Sequence, residues 1–135
     1  MSADRALVAA LRAAAMADAG VTALLGDPAR FYDDPPPDPV FPYATLGRVE
    51  SKPAEASGVE ATEHAVTLHV WSRYGGRAEA VDAIAALRAA LHDQPISVEG
   101  RRLVLLLATF SDIFRSGDGR TTHGVLRLRA ITEAA

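Results

Sequence analysis

The sequence contains no cysteine, and this absence excludes several kinds of chemistry at once. Without thiols the protein can form no disulfide, no thiolate zinc site and no cysteine nucleophile. A chain of 135 residues, of which 49% are hydrophobic, can bury a core without a disulfide or a metal to hold it together. We therefore expect one domain spanning residues 1–135, with no cofactor.

Lysine and long apolar runs are also scarce. Lys52 is the only lysine, and 14 basic residues against 17 acidic ones leave a formal charge of −3. So small a charge gives no reason to expect binding to nucleic acid or to an anionic membrane. The longest strongly apolar run covers residues 103–108, which is too short to span a bilayer. The N-terminus has no charged leader followed by a long apolar core, so we expect no secretory signal.

Helices are predicted in three places by apolar residues that recur every three or four positions. The first covers residues 3–17 and can be capped by Ser2. A short helical turn at residues 21–25 should end at Gly26, and the third helix covers residues 77–92. The predicted apolar faces of the two longer helices consist of Leu7, Val8, Leu11 and Ala15 in the first and Val81, Ile84, Leu87 and Leu91 in the last.

Strands are predicted where apolar and β-branched residues alternate with polar ones. The segments are residues 31–32, 43–49, 65–72, 96–98, 102–110 and 122–132. Residues 103–108 are apolar on both faces, so we expect that strand at the centre of the sheet. The polar stretch 51–62 should form a projecting loop. This order of helices and strands favours an α+β fold, with a mainly antiparallel sheet and two principal helices packed on one face.

Catalytic and metal-binding residues form no recognisable motif. His64 and His69 are five positions apart on one predicted strand, so they should point to opposite faces and cannot easily share a metal. The sequence contains no HExxH, GxGxxG or Walker-type motif. A small hydrolase that uses His123 with Asp118 or Asp112 is the enzymatic alternative. We expect a protein without enzyme activity and without a metal site.

One face of the predicted sheet carries side chains typical of protein interfaces. If the helices cover the face that carries Leu68, the alternation places Trp71 on the opposite, outer face. Tryptophan and arginine are enriched at protein–protein contacts. The alternative is that these side chains only cover their own sheet face. The residues that we predict at a subunit or partner interface here are His69, Trp71, Arg73, Arg127 and Arg129.

Several segments of the chain resemble one known family. LHVWSR at residues 68–73, followed by GGRAEA at residues 75–80, is similar to tail-terminator (tail-completion) proteins of long-tailed phages, prophages and gene transfer agents. Further matching segments occur in the family's order over nearly the whole chain. They are ALLG at 23–26, FPY at 41–43, AALHD at 89–93 and HGVLRLR at 123–129.

The resemblance implies a structural role in a virion. Members of this family form a ring, typically of six subunits, at the head-proximal end of the tail tube. The ring stops tube polymerisation and joins the tail to the filled head. The implied partners are copies of the chain itself, the tail-tube protein and the head–tail connector or neck proteins, with DNA only passing through the lumen. Assembly would take place in the bacterial cytoplasm.

The predicted loop and the alternative functions give two further expectations. The predicted loop is expected to order against the tube or a neighbouring subunit, and its candidate contact residues are Ser51, Lys52, Glu55 and Glu60. The nearest alternative function is another neck protein, such as a head-completion or connector subunit. A soluble regulatory binding module is a third possibility.

Overall fold

The computed structural model describes residues 1–54 and 59–135, and this part of the chain forms three helices and five strands. The predicted contact residue Glu55 lies outside the described residues. The elements, in chain order, are α1 (Ala3–Ala17), α2 (Ala19–Leu25), β1 (Phe31–Tyr32), β2 (Tyr43–Ala54), β3 (Ala61–Ser72), α3 (Ala78–Leu91), β4 (Arg101–Arg115) and β5 (Thr122–Ala134).

The two N-terminal helices begin and end where local chemistry requires. Ser2 caps α1, since its hydroxyl accepts a hydrogen bond from the backbone N–H of Arg5 at 3.1 Å. Asp18 ends α1 and caps α2 through its carboxylate, which accepts from the N–H of Val21 at 3.0 Å. Gly26 ends α2 with a φ of 91°, a conformation that favours glycine. The predictions of these two helices are confirmed.

The third helix is also confirmed, but its apolar face is rotated from the predicted one. Val81 was expected to face the core, yet it is 46% exposed. The alanines of this helix are the reason, because Ala80 and Ala83 are buried and let the helix axis approach the sheet closely. The approach is so close that a side chain on Gly124 of β5 would lie 2.8 Å from Cγ1 of Ile84.

The five strands form one sheet in the order β1-β2-β3-β5-β4. The pair β1–β2 is parallel and the other pairs are antiparallel. The helices pack on one face, which we call the inner face, and the opposite one is the outer face. The predicted α+β fold with a mainly antiparallel sheet is therefore confirmed.

The prediction that residues 103–108 lie at the centre of the sheet is wrong, because β4 is an edge strand. Leu106 and Ala108 are buried beneath the helices, which explains the apolar character of one side of β4. The other side, which carries Leu105 and Leu107, remains apolar although no helix covers it, and Val104, at the register shift between Leu103 and Leu105, is 49% exposed. An apolar pattern on both faces therefore identified a strand correctly but not its position.

The loop predicted over residues 51–62 is narrower in the structure, because residues 51–54 and 61–62 are strand, and residues 55–58 lie outside the described part of the chain. β2 continues to Ala54 and pairs with β3 from Ala61 onwards, so these polar residues form the end of a hairpin. Polar side chains fit there because they face solvent while the backbone completes the ladder. Residues 96–98 are not a strand either, since only Val98 makes a single bridge, to Arg101.

A buried histidine ties α1 to the sheet. His64 is fully buried on the inner face, where its Nδ1 lies 2.6 Å from Asp4 Oδ1 and its Nε2 lies 2.8 Å from Thr132 Oγ1. Ser51 donates to the other carboxylate oxygen of Asp4 at 2.9 Å. A buried polar group is tolerated only with such partners.

In the described part of the chain, no single helix is long and apolar enough to cross a membrane. Within the same residues, only α1 and α2 taken together, with a bend of 81° between them, reach the length and apolar composition of a membrane-spanning segment.

We predict that truncating the buried face of α3 destabilises the protein far more than truncating its exposed face. Leu87 is fully buried, so Leu87→Ala should lower the free energy of unfolding by about 2–5 kcal/mol. The matched change Val81→Ala, on the exposed side of the same helix, should change it by less than about 0.5 kcal/mol. Chemical denaturation followed by circular dichroism measures both. Equal losses would contradict the observed rotation of α3.

Candidate assembly interface

The outer face of the sheet carries a row of aromatic side chains that crosses four strands. The strand register brings Tyr43 opposite Trp71, Trp71 opposite His123, and His123 opposite Phe114. Successive strands lie about 4.8 Å apart, so large rings in these positions must touch. The aromatic row, as we call these four residues, is therefore a direct result of register.

Contacts within the aromatic row hold its members in place. Trp71 stacks on the imidazole of His123, with ring centres 3.9 Å apart and planes tilted by 18°. Tyr43 stacks on the other side at 6.5 Å, and Phe114 meets His123 at 4.8 Å. The indole Nε1 of Trp71 donates a hydrogen bond to Thr45 at 3.0 Å. This surface is ordered before any partner binds, which lowers the entropic cost of association.

A pair of histidines lies within this surface. His69 Nδ1 and His123 Nε2 are 2.7 Å apart, so one ring nitrogen donates and the other accepts. Burial lowers the pKa of both histidines, and the neighbouring His69 lowers the pKa of His123 further, against an opposing effect of Asp112. Gly47 gives His69 its space, because a side chain there would lie 2.3 Å from the imidazole Nε2. Both rings are therefore held in their neutral form near pH 7.

The arrangement does not support the enzymatic alternative built on Asp118. Its carboxylate accepts hydrogen bonds from the hydroxyl and N–H of Thr121, from the N–H of Arg120 and from the hydroxyl of Ser116. These bonds, that of the Thr121 hydroxyl first, hold the pKa of Asp118 far below its usual range. The residue is therefore used to build the 116–121 turn, and the partner of His123 is His69.

The described residues also contain no cluster of side chains suitable for binding a metal ion. Within residues 1–54 and 59–135, no group of three or more His, Cys, Asp or Glu side chains is arranged to hold a metal ion. His64 and His69 point to opposite faces of the sheet, as predicted, since one is buried beneath α1 and the other contacts the outer aromatic row.

The other half of the outer face is charged and concave. A concavity of about 820 Å³ lies over β2, β3 and β5. Arg129 donates to Glu63 at 2.9 Å, and Lys52 lies 3.6 Å from the same carboxylate. The hydrogen bond from Arg129 is the largest cause of the lowered pKa of Glu63. The charged residues that line the concavity are Arg48, Glu50, Glu63, Arg127 and Arg129.

The structure brings together most of the predicted interface residues but not all. His69, Trp71, Arg127 and Arg129 share the outer face. Arg73 lies at its end, where its guanidinium covers the ring of Phe41 at 4.4 Å. The remaining predicted residues divide as follows: Lys52 contacts the outer-face Glu63, whereas Ser51 bonds Asp4 beneath α1 and Glu60 bonds Arg101.

Sequence reasoning missed the contribution of β4. Phe110 and Phe114 are 45% and 39% exposed on the outer face, and Arg127 covers the ring of Phe110 at 4.7 Å. Phenylalanine, aspartate and phenylalanine alternate at positions 110, 112 and 114, which is the pattern of one strand face. That alternation was the available signal, but the predicted strand ended at residue 110.

Fold and surface together define an α+β protein with one uncovered, largely preordered sheet face. Comparison with known proteins gives its family. The family described as Tail completion protein gp17 matches residues 9–133, and the chain belongs to this family. It is accordingly a structural protein of a phage-type tail, as the sequence resemblance implied.

Two relatives support the assignment. Tail completion protein gp17 of Bacillus phage SPP1 is 30% identical over 99 residues, which cover 72% of each chain. A chain in the solved structure of the virion of a native gene transfer agent particle is 28% identical, with a TM-score of 0.89 over 98% of both chains. The similarity to a virion component therefore extends over almost the whole fold.

We predict that the histidine pair makes stability fall on mild acidification. The pKa values of His69 and His123 are lowered in the folded protein, whereas an unfolded histidine has a pKa of about 6.5. As the pH falls through this value, the unfolded chain therefore binds more protons than the folded protein. The free energy of unfolding should therefore decrease as the pH falls from about 7 through the folded-state pKa values. Denaturant titrations at pH 7.5, 6.5 and 5.5 measure this slope.

The variant His123→Phe isolates the contribution of the pair. It retains an aromatic ring beside Trp71 and removes one titrating group. Its stability should depend less steeply on pH than that of the parent protein over the same range. Parallel slopes for parent and variant would contradict this assignment.

Proposed function

We propose that the protein is a tail terminator, which forms a ring at the head-proximal end of the tail tube, ends tube polymerisation and provides the surface to which the head joins. The observation that carries the proposal is the match over 98% of both chains to a component of a gene transfer agent virion, together with membership of a tail completion family. The uncovered outer sheet face supports it, since an assembly subunit needs accessible contact surfaces.

A terminator must have different surfaces toward its two sides. A tube grows because each ring presents a surface that the next ring can bind, a head-to-tail contact that does not close on itself. A protein that ends this series must bind the growing end with one surface and offer the head another. The aromatic row and the charged concavity are two chemically unlike areas on one sheet face, which suits contacts with different partners.

The predicted interface residues enter this proposal as contact residues. His69, Trp71, Arg73, Arg127 and Arg129 would contact a neighbouring subunit, the tail-tube protein or a neck protein. Ser51, Lys52 and Glu60 lie at the end of the β2–β3 hairpin, which we assign to polar contacts with the tube or with a neighbouring subunit. A ring of six copies, assembled in the bacterial cytoplasm and with DNA only passing through its lumen, completes the proposal. A formal charge of −3 gives such a ring no general attraction for the passing DNA.

The proposed role requires no catalysis. Nε2 of His123 forms a hydrogen bond with Nδ1 of His69, and the His123 ring stacks on Trp71. Both contacts hold the side chains of the outer face in place. We therefore assign the histidine pair to the organisation of the interface.

Deletion of the gene tests the function directly. Electron microscopy of particles from the deletion strain should reveal overlong tails that are not attached to heads, beside filled heads without tails. Tails of normal length that fail to join heads would indicate another neck role, such as head completion. Normal particles would overturn the proposal.

Complementation of the same strain tests the outer face. Arg127→Glu reverses an exposed charge whose side chain lies over Phe110, so it should reduce the yield of complete particles by about tenfold or more, the effect expected of one charged contact residue. The matched control is Arg77→Glu, which makes the same change at the start of α3, on the helix side of the protein. Equal yields from both variants would contradict a contact role for Arg127.

A further inference from the structure

Two unlike surfaces lie at opposite edges of the sheet. On the outer side of the edge strand β4, Phe110, Asp112 and Phe114 form a short row in which an acid separates two aromatic rings. Phe114 is already engaged with His123 at 4.8 Å. Phe110 is 45% exposed, and the guanidinium of Arg127 lies over its ring at 4.7 Å. Burial of this ring against a partner would therefore remove a large apolar area from water and stabilise the contact.

A groove of about 190 Å³ lies at the opposite edge, between α1 and β2. Val8, Ala9 and Leu46 form its walls, and Phe31 and Leu68 form its floor. The lining is thus mainly apolar. Cavities of about 150 Å³ with apolar walls bind benzene in proteins, so this groove has the size and chemistry for one phenyl ring.

The rim of the groove carries two arginines and one aspartate, Asp33, so its net charge is positive and opposite to that of Asp112 on β4. Arg5 and Arg12 border it, and both are exposed. The Nε of Arg12 donates to the carbonyl of Phe31 at 3.0 Å, which holds this guanidinium beside the groove and leaves its terminal nitrogens available. Asp112 is exposed next to Phe110, so a phenyl ring in the groove would bring a carboxylate to the two guanidinium groups.

We propose that Phe110 of one copy of this chain inserts into the α1–β2 groove of the next copy, with Asp112 paired to Arg5 or Arg12 of that copy. The inference rests on the proposed function and specifies the contact that closes the ring. Because the two surfaces differ and lie at opposite edges, the contact repeats head to tail, which generates rings, whereas contact of two β4 edges would give a two-fold dimer.

The absence of cysteine from the sequence makes this contact directly testable by engineered disulfides. Ala9→Cys places a thiol in the groove and Phe110→Cys places one on β4. The two sites cannot react within one copy. Ala9 lies on α1 in the groove beside β2, and β2 is separated from β4 by three strand spacings, or about 14 Å. A disulfide needs Cα atoms within about 7 Å. A covalent link in the double variant therefore reports contact between copies.

Particles from the deletion strain, complemented with the double variant and oxidised, should yield a ladder of covalent multimers on a non-reducing gel. Each single variant should yield monomers, as should the control pair Val81→Cys/Phe110→Cys, whose partner site is exposed on α3. Dimers from Phe110→Cys alone would overturn the proposal in favour of a two-fold β4 contact. Monomers from the double variant in particles with normal tails would overturn it as well.

If the double cysteine variant does not enter particles, exchange of the charges at positions 112 and 5 tests the same contact between copies. Asp112→Arg should lower particle yield by about tenfold or more, and adding Arg5→Asp, which suits the first turn of α1, should restore it. An unchanged yield from Asp112→Arg would overturn the proposal. Failure of the terminator function is distinguishable, because it appears as normal tails in the deletion strain, whereas a covalent ladder in the purified double variant would still support this contact.

Discussion

The packing of all three helices against one face of the sheet is the constraint on which the rest of the structure depends. Buried alanines bring α3 so close to the sheet that Gly124 has no room for a side chain beside Ile84. The hydrogen bond between Asp4 and the buried His64 ties α1 to the same face. With every described helix on the inner face, the apolar side chains of the outer face either pack against one another or stay exposed to solvent or to a partner protein.

Both solutions are visible on the outer face. Trp71 and His123 stack on each other, and Arg129 and Glu63 form an ion pair, so much of this surface is ordered by its own contacts. Phe110, at the edge, retains a large exposed ring. A surface that is rigid over most of its area loses little conformational entropy on binding, and a few exposed apolar side chains then provide the gain. That combination suits a subunit which must dock repeatedly in one orientation.

Local signals in the sequence were sufficient to locate the helices and to place Trp71 on the outer face. Ser2, Asp18 and Gly26 mark helix ends through capping chemistry that depends on neighbouring residues only. Trp71 was assigned to the outer face from strand alternation alone, and its contact with His123 agrees. The family was recognised from ordered segments such as LHVWSR, which the family comparison confirms.

Features that depend on distant parts of the chain could not be predicted in the same way. The position of β4 at the sheet edge follows from pairing with β5, which an apolar pattern does not encode. The exposure of Val81 depends on how closely α3 approaches the sheet. The pairing of His123 with His69, rather than with Asp118, requires the register of β3 against β5. In each case the local pattern was compatible with more than one tertiary arrangement.

A cryo-electron microscopy reconstruction of the neck of assembled particles tests the central claim most directly. We predict one closed ring of this chain between the last ring of the tail tube and the head connector. In it, the β4 edge and outer sheet face of each copy should contact other protein chains. A different location in the particle, or a ring held together by the helices alone with the outer face free of protein contacts, would contradict the account.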